Sequence, residues 1–136
     1  MHRFCLLIIE YMTKKEVLEV IDKYYAYHRT NNKSITSFKL INDVEVIGGK
    51  KVKGYGVYFN FDKNLYQNKG KYLFSCALTI KNPFITDDQI YTALITKDKK
   101  EQLYKKGFDS VVLARNNKII EVICFTNAQI VISEVS

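Results

Sequence analysis

Ile119-Ile120-Glu121-Val122-Ile123-Cys124-Phe125 is a run of β-branched and aromatic residues without a cap or a breaker, and it predicts a β-strand. Because side chains alternate along a strand, Glu121 shares one face with Ile119, Ile123 and Phe125. Both faces are otherwise apolar, so we expect Glu121 to point into a cleft or to lie at a rim. A charge in apolar surroundings is costly unless something binds it, which makes Glu121 a candidate for chemistry. The alternative is an edge-strand glutamate that reaches solvent.

The stretches around this strand predict an α+β fold with a largely antiparallel sheet. Asn116-Asn117 is a hairpin signal that joins the strand to an apolar run at 108–114. Further strands are predicted at 25–30, 57–59, 72–80 and 130–132, and a turn or loop at 48–51. Helices are predicted at 13–26, where Thr13 and Glu16 form a capping box, and at 86–106, with shorter ones at 31–38 and 62–68. We expect residues 1–136 to form a single domain.

Composition excludes several classes of protein. The chain has 47% hydrophobic residues and a formal net charge of +7, which is typical of a globular protein and favours an anionic partner. Cys5, Cys76 and Cys124 stand in apolar runs and are expected to be buried thiols in a reducing compartment. With two histidines and no Cys-x-x-Cys pair, no metal site is expected. The apolar run at 4–9 is too short to span a membrane.

Familiar catalytic signatures do not occur in the sequence. No serine lies in a Gly-x-Ser-x-Gly elbow, and no phosphate-binding Gly-x-x-x-x-Gly-Lys-Ser/Thr loop exists. Gly54 and Gly56 lack the third glycine and the following helix of a dinucleotide-binding fingerprint. Three spaced elements remain: His28 on an aromatic strand, Tyr58 after two glycines, and Glu121.

These elements resemble, in order, the three motifs of the ADP-ribosyltransferase superfamily, in the branch of diphtheria toxin and the poly(ADP-ribose) polymerases. Tyr27-His28-Arg29-Thr30 looks like the first motif and Gly54-Tyr55-Gly56-Val57-Tyr58-Phe59 like the second. The run from Glu121 to Ile130 is similar to the third, a strand opened by the catalytic glutamate and followed by a Gln-hydrophobic exit. Ile80-Lys81-Asn82-Pro83 and Gly107–Val112 also look like connecting elements of bacterial and phage members. The resemblance spans residues 25–132 and implies the split, mainly antiparallel sheet of that superfamily.

The resemblance implies a role for each residue of these motifs in binding NAD. His28 would hydrogen-bond a ribose hydroxyl, and the main chain of Arg29, beside Thr30, would hold the nicotinamide amide. The family usually has glycine at position 29. Tyr58 would stack on the nicotinamide ring, and Tyr66 is the nearest fit to a second aromatic of the family. Glu121 would bind the ribose 2′-hydroxyl and stabilise the oxocarbenium-like charge as nicotinamide leaves.

The implied function is that of an NAD-dependent mono-ADP-ribosyltransferase, toxin-like, of bacterial or phage type. It would act in the cytosol of a bacterium or a host cell, on a protein or nucleic-acid acceptor, with an antitoxin or immunity partner by analogy. Ile119 stands where the arginine-modifying branch has Glu or Gln, so arginine is not the expected acceptor. Two alternatives share the fold: a non-catalytic nucleic-acid-binding domain, and an NAD-dependent RNA 2′-phosphotransferase. Only Arg3, Arg29 and Arg115 are available to grip phosphate in the latter.

Overall fold

The computed structural model describes residues 12–31, 45–47, 50–52, 56–64, 70–89 and 95–136. The helices that it describes in full are α1 (Lys14–Lys23) and α2 (Lys97–Lys105). The strands described are β1 (Ala26–Thr30), β2 (Glu45–Ile47), β3 (Lys50–Val52), β4 (Val57–Phe59), β5 (Tyr72–Leu78), β6 (Pro83–Thr86), β7 (Ser110–Arg115), β8 (Lys118–Cys124) and β9 (Ile130–Val135). A 3₁₀ turn, Asn127–Gln129, joins β8 to β9.

Two main sheets and one hairpin make up the described strands. The first sheet has the order β1-β5-β9, the second has the order β4-β8-β7-β6, and β2 pairs with β3. All pairs are antiparallel except β6 with β7, which are parallel. The predicted α+β class with a mainly antiparallel sheet is therefore confirmed.

The apolar character of both faces of β8 is explained by burial on both sides. Val122 and Cys124 pack in one core cluster, with Val17 of α1 and Phe74 of β5. Ile123 and its neighbour two residues on, Phe125, pack in a second cluster with Ile95 and Leu103 from the α2 side. A strand covered on both faces reads as a continuous apolar run. Glu121 lies on the face of Ile123, the one turned toward α2.

Local signals predicted the first helix and the β7–β8 hairpin correctly. Thr13 Oγ1 accepts from the Glu16 N–H at 3.2 Å and the Glu16 carboxylate accepts from the Thr13 N–H at 3.0 Å, so the capping box is present. Asn116 and Asn117 both adopt positive φ, as the tightest hairpin turns require. The helix ends earlier than expected, and Tyr24 and Tyr25 are exposed because they lie beyond its last turn.

Two expectations, one about a loop and one about the second helix, were wrong. Lys50 and Lys51 lie in β3, not in a turn. The predicted helix at 86–106 is interrupted: Thr86 ends β6, Ile95 is buried in the core, and Thr96 starts α2 afresh by accepting the Lys99 N–H on its hydroxyl. The predicted helix at 31–38 and the helix at 62–68 fall wholly or largely outside the described residues.

Pro83, which follows the predicted strand at 72–80, begins β6. Among the described strands β6 is the edge of its sheet, where the missing N–H of proline leaves no neighbouring carbonyl without a donor. The thiols of Cys76 and Cys124 are buried as expected, and burial raises the pKa of Cys76 to about 12. Cys5 lies outside the described residues.

Candidate active site at the divergence of the two sheets

Glu121 lies on an interior strand. β8 is flanked by β4 on one side and by β7 on the other, where Glu121 pairs with Leu113. β8 is therefore not an edge strand, although its pairing with β4 stops at Val122, next to Glu121. Its side chain is half-buried, in agreement with the expected position at a cleft or a rim.

Burial raises the pKa of the Glu121 carboxyl from its ordinary value of 4.5 to about 7. The cause is desolvation, because taking a carboxyl group out of water penalises its charged form and so holds the proton more tightly. Near neutral pH the group is thus divided between its two forms, and a cation placed beside it favours the ionised form.

The two sheets diverge beside Glu121. The β4–β8 pairing ends with Phe59 opposite Val122, and the next residue in that register, Asn60, would face Glu121. Asn60 instead forms an isolated bridge with Tyr27 of β1, with N–H to O distances of 2.7 and 3.0 Å in the two directions. The strand that accompanies β8 thus leaves it at Glu121 and joins the other sheet. Glu121 stands at the opening that this departure creates.

His28 reaches the same opening from the first sheet. Its Nδ1 lies 2.8 Å from the main-chain oxygen of Tyr58, and its ring lies 5.7 Å from that of Phe59, tilted by 56°. A carbonyl oxygen only accepts, so Nδ1 must carry the proton. In the neutral imidazole, Nε2 is then the acceptor. The ring is fixed in a tautomer that presents an acceptor to a hydroxyl group.

Tyr58 shares the face of Glu121. It pairs with Ile123 across β4 and β8, and Ile123 lies two residues from Glu121, so all three side chains lie on one side of the sheet. Burial, and after it the negative charge of Glu121, raises the pKa of the Tyr58 hydroxyl. The ring is a partly buried neighbour of the second core cluster, which holds it against the sheet.

A close approach of backbone accounts for the glycine before β4. Gly56 has φ +148°, and a Cβ there would lie 2.6 Å from Ile123 Cγ2 and 2.8 Å from the Cys124 carbonyl oxygen. A larger residue would push β4 away from β8, and Tyr58 away from Glu121. The glycine of the second motif therefore has a steric reason in this chain.

Arg29 directs its main chain toward the opening. Tyr27 turns both its N–H and its C=O away from β5, toward Asn60, and strand residues two apart turn their peptide groups to the same side. Since the Tyr27–Asn60 bridge is isolated, no described strand pairs with Arg29 on that side. The Arg29 side chain is held elsewhere, because Nη2 donates to the Lys63 carbonyl at 2.9 Å.

Of the two remaining predicted residues, the structure describes Thr30 but not Tyr66. Thr30 is the last residue of β1 and pairs with Tyr72. Gly70 packs against the back of this strand end, where a Cβ would come within 2.8 Å of both Thr30 Cα and the Arg29 carbonyl carbon. Tyr66 lies outside the described residues.

Gln129, in the Gln-hydrophobic exit of the third motif, anchors the end of β8. Its Oε1 accepts the N–H groups of Phe125 and Thr126 at 3.0 and 2.9 Å. Its Nε2 donates to the Asp109 carbonyl at 3.0 Å, at the start of β7. A buried amide with these bonds fixes where the Glu121 strand ends.

Sequence reasoning missed Asn60, which turns the chain from one sheet to the other. Its side chain is buried, and Oδ1 accepts the Asp62 N–H at 3.0 Å, which stabilises the turn that follows. An asparagine after a short strand is a common turn signal, but nothing in the sequence shows that it joins two sheets.

In the part of the chain that the structure describes, no group of three or more His, Cys, Asp or Glu side chains is arranged to hold a metal ion. No described helix is long and apolar enough to cross a membrane. Comparison with family models and with curated protein sequences gives no match for this chain.

Proposed function

We propose that the protein is an NAD-dependent mono-ADP-ribosyltransferase with the split sheet of that superfamily. The observation that carries the proposal is the convergence of His28, Tyr58 and Glu121 where the two sheets diverge. These residues lie 30 and 63 positions apart in sequence (28 to 58, and 58 to 121), and the motif resemblance assigns all three to one NAD site. The absence of a matching family model leaves the motifs and the geometry as its support.

The opening offers a complementary group to each part of the nicotinamide riboside. Nε2 of His28 accepts a hydrogen bond from a ribose hydroxyl, since Nδ1 is already occupied by the Tyr58 carbonyl. The N–H and C=O of Arg29 pair with the carbonyl and amino groups of the nicotinamide amide. The Tyr58 ring stacks on the nicotinamide, a contact worth ~1 kcal/mol. Arginine can replace glycine at position 29 because its side chain is turned to Lys63.

Glu121 acts at the reacting carbon. The bond between C1′ of the ribose and the nicotinamide nitrogen breaks, nicotinamide leaves with the electron pair, and positive charge develops on C1′ and the ring oxygen. The Glu121 carboxylate stabilises that charge and holds the 2′-hydroxyl. The positive nicotinamide ring of bound NAD favours the ionised carboxylate, which offsets the effect of burial on its pKa. The acceptor nucleophile then bonds to C1′ and releases its proton.

The direct test is release of nicotinamide from NAD by the purified protein. We expect Glu121→Gln to lower the rate at least ~100-fold, as the loss of a group that stabilises the transition state does. Glu134→Gln, at an exposed carboxylate on β9, is the matched control and should not change the rate. Millimolar NAD should also raise the melting temperature of the wild-type protein. If the Glu121 and Glu134 variants release nicotinamide equally fast, the proposed role of Glu121 is wrong.

The same proposal includes the setting in which the enzyme acts. We place it in the cytosol of a bacterium or a host cell, as a toxin-like enzyme without a metal cofactor, opposed by an antitoxin or immunity protein. Its acceptor is a protein or a nucleic acid. Incubation with labelled NAD and a whole-cell lysate, followed by protease or nuclease, distinguishes the two acceptor classes.

A further inference from the structure

A groove runs along α2 and the end of β8, on the face of the sheet that carries Glu121. It consists of two adjoining cavities of about 340 and 260 Å³. The first is lined by residues of α2 together with Phe125 and Thr126, and the second extends to Thr79 and Lys81. Tyr104, Phe125 and Thr126 line both cavities. We call this surface the α2 groove.

The α2 groove lies near the candidate active site along the strand direction. Phe125 forms its floor and lies four residues from Glu121 on the same face of β8 and its extension. At the rise of a β-strand, this separation is roughly 13 Å. An extended polymer bound in the groove would therefore place the units that follow the bound ones beside the reacting carbon.

The chemistry of the α2 groove combines an exposed aromatic ring with lysines. Tyr104 is 62% exposed although it lines both cavities. The Lys100 ammonium lies 5.9 Å from the centre of the Phe125 ring, Lys105 lines the first cavity and Lys81 lines the second. Desolvation lowers the pKa of Lys100 although Glu101 opposes this, so an added anion would relieve an unfavourable burial of charge.

The acidic residues of the groove do not cancel this charge. The Asp109 carboxylate is turned inward, where it accepts the main-chain N–H groups of Lys81 and Asn82 at 2.7 and 3.1 Å and the Ser110 hydroxyl at 3.0 Å. Glu101 remains at the rim. Lysines that follow a groove, with a ring on which bases stack, are the pattern by which proteins hold single-stranded nucleic acid. An acidic polypeptide would use the lysines but has no flat base to place on Tyr104.

We propose that the α2 groove binds single-stranded nucleic acid and presents it to Glu121 as the acceptor of ADP-ribose. The acceptor role rests on the proposed function, whereas binding in the groove does not. In the transfer, a hydroxyl oxygen or ring nitrogen of the nucleic acid bonds to C1′ of the ribose. Nicotinamide departs with the electron pair of the broken bond, and the proton of the acceptor passes to water.

Binding is tested first, without NAD, by fluorescence anisotropy with labelled single-stranded RNA and DNA of one sequence. Tyr104→Ala should weaken binding about tenfold, the effect of losing one stacked base. Tyr24→Ala is the matched control, because Tyr24, directly after α1, is similarly exposed, at 54%. Lys105→Gln should reduce the slope of log affinity against log salt by about 0.7, whereas Lys23→Gln should not. Equal affinity of the Tyr104 and Tyr24 variants, or stronger binding of poly-glutamate than of RNA and DNA, overturns the proposal.

Transfer is tested next, with labelled NAD and the oligonucleotide that binds more tightly. We expect nuclease-sensitive label on the oligonucleotide, lost in Tyr104→Ala while release of nicotinamide to water continues. Glu121→Gln should retain oligonucleotide binding but lose both reactions. Nicotinamide release with label only on protein overturns the acceptor assignment and leaves the proposed function intact. Oligonucleotide binding through Tyr104 without any NAD cleavage refutes the proposed function and favours the non-catalytic binding domain.

Discussion

Glu121→Gln should make the protein more stable at pH 8.5 and change its stability little at pH 4.5. The folded protein holds the Glu121 proton more tightly than the unfolded chain, because burial raises the pKa from 4.5 to about 7. Below pH 4.5 the group is protonated in both states and contributes almost nothing. Between pH 4.5 and 7 the unfolded chain releases the proton first, so stability falls as pH rises. Glutamine cannot be ionised and escapes this loss.

The size of the effect follows from the displacement of the pKa. Each pH unit between the two pKa values corresponds to about 1.4 kcal/mol, so the wild-type protein loses up to roughly 3 kcal/mol by pH 8.5. At pH 4.5 the same calculation gives less than about 0.5 kcal/mol. We therefore expect the free energies of unfolding of the two proteins to be close at pH 4.5, to separate up to about pH 7, and to stay apart by a constant amount above that.

The assay is urea denaturation followed by circular dichroism at several pH values, with the m-value checked for constancy. Glu134→Gln, at an exposed position, controls for the general change in net charge. If the free energies of unfolding of Glu121→Gln and the wild type differ by the same amount at every pH, folding does not displace the pKa of this carboxyl group and the argument from burial is wrong. The stabilised variant should also be the inactive one, as expected where a charge is kept for catalysis at a cost in stability.

Other predictions concern the supports of the site, each measured as a change in the free energy of unfolding. Gly70→Ala should cost about 1–3 kcal/mol, because the added Cβ would meet main-chain atoms. Gly107→Ala should cost only about 1 kcal/mol, because no atom lies nearer than 3.8 Å to the added Cβ and only the positive φ is unfavourable. Equal costs for the two substitutions would contradict this. Gln129→Ala should cost about 2–4 kcal/mol by leaving buried main-chain groups without partners, against a few tenths for exposed Gln102→Ala. Asn116→Val should cost about 1–2 kcal/mol, because a β-branched residue is strained at φ 50°. Asn116→Gly should cost almost nothing. Similar losses of stability in both variants would show that the cost does not come from the turn conformation.

The features that could be predicted from sequence are those set by neighbours along the chain. The capping box of Thr13 and Glu16 involves residues three apart, and the Asn116-Asn117 turn needs only its own two dihedral angles. The interruption at Ile95 was missed because Ala93, Leu94 and the lysines that follow Thr96 suit a helix, whereas Ile95 itself is buried in the second core cluster. The edge position that allows Pro83 to begin a strand depends on the order of strands, which no local pattern contains.

The residues of the candidate site were proposed from a resemblance, and their arrangement in space could not be derived from the sequence. Glu121 stood out because a carboxylate among β-branched residues is unusual. That it faces the divergence of two sheets follows from the Tyr27–Asn60 bridge, a contact between distant segments. The lysines of the α2 groove can be seen in the sequence, but the groove cannot. The exposure of Tyr104 depends on which face of α2 packs against the sheet.

His28 is hydrogen-bonded to the main chain of Tyr58 and not to its side chain. The orientation of the imidazole and the choice of side chain at position 58 are therefore independent. Any residue at position 58 that keeps β4 in place supplies the same carbonyl, so the orientation of the imidazole does not depend on which side chain is there. Under the proposed function, position 58 can then be varied to enlarge or reshape the surface that stacks on the nicotinamide ring while His28 stays fixed. The candidate site thus has one side chain that can be substituted, at position 58, beside one whose orientation is fixed, that of His28.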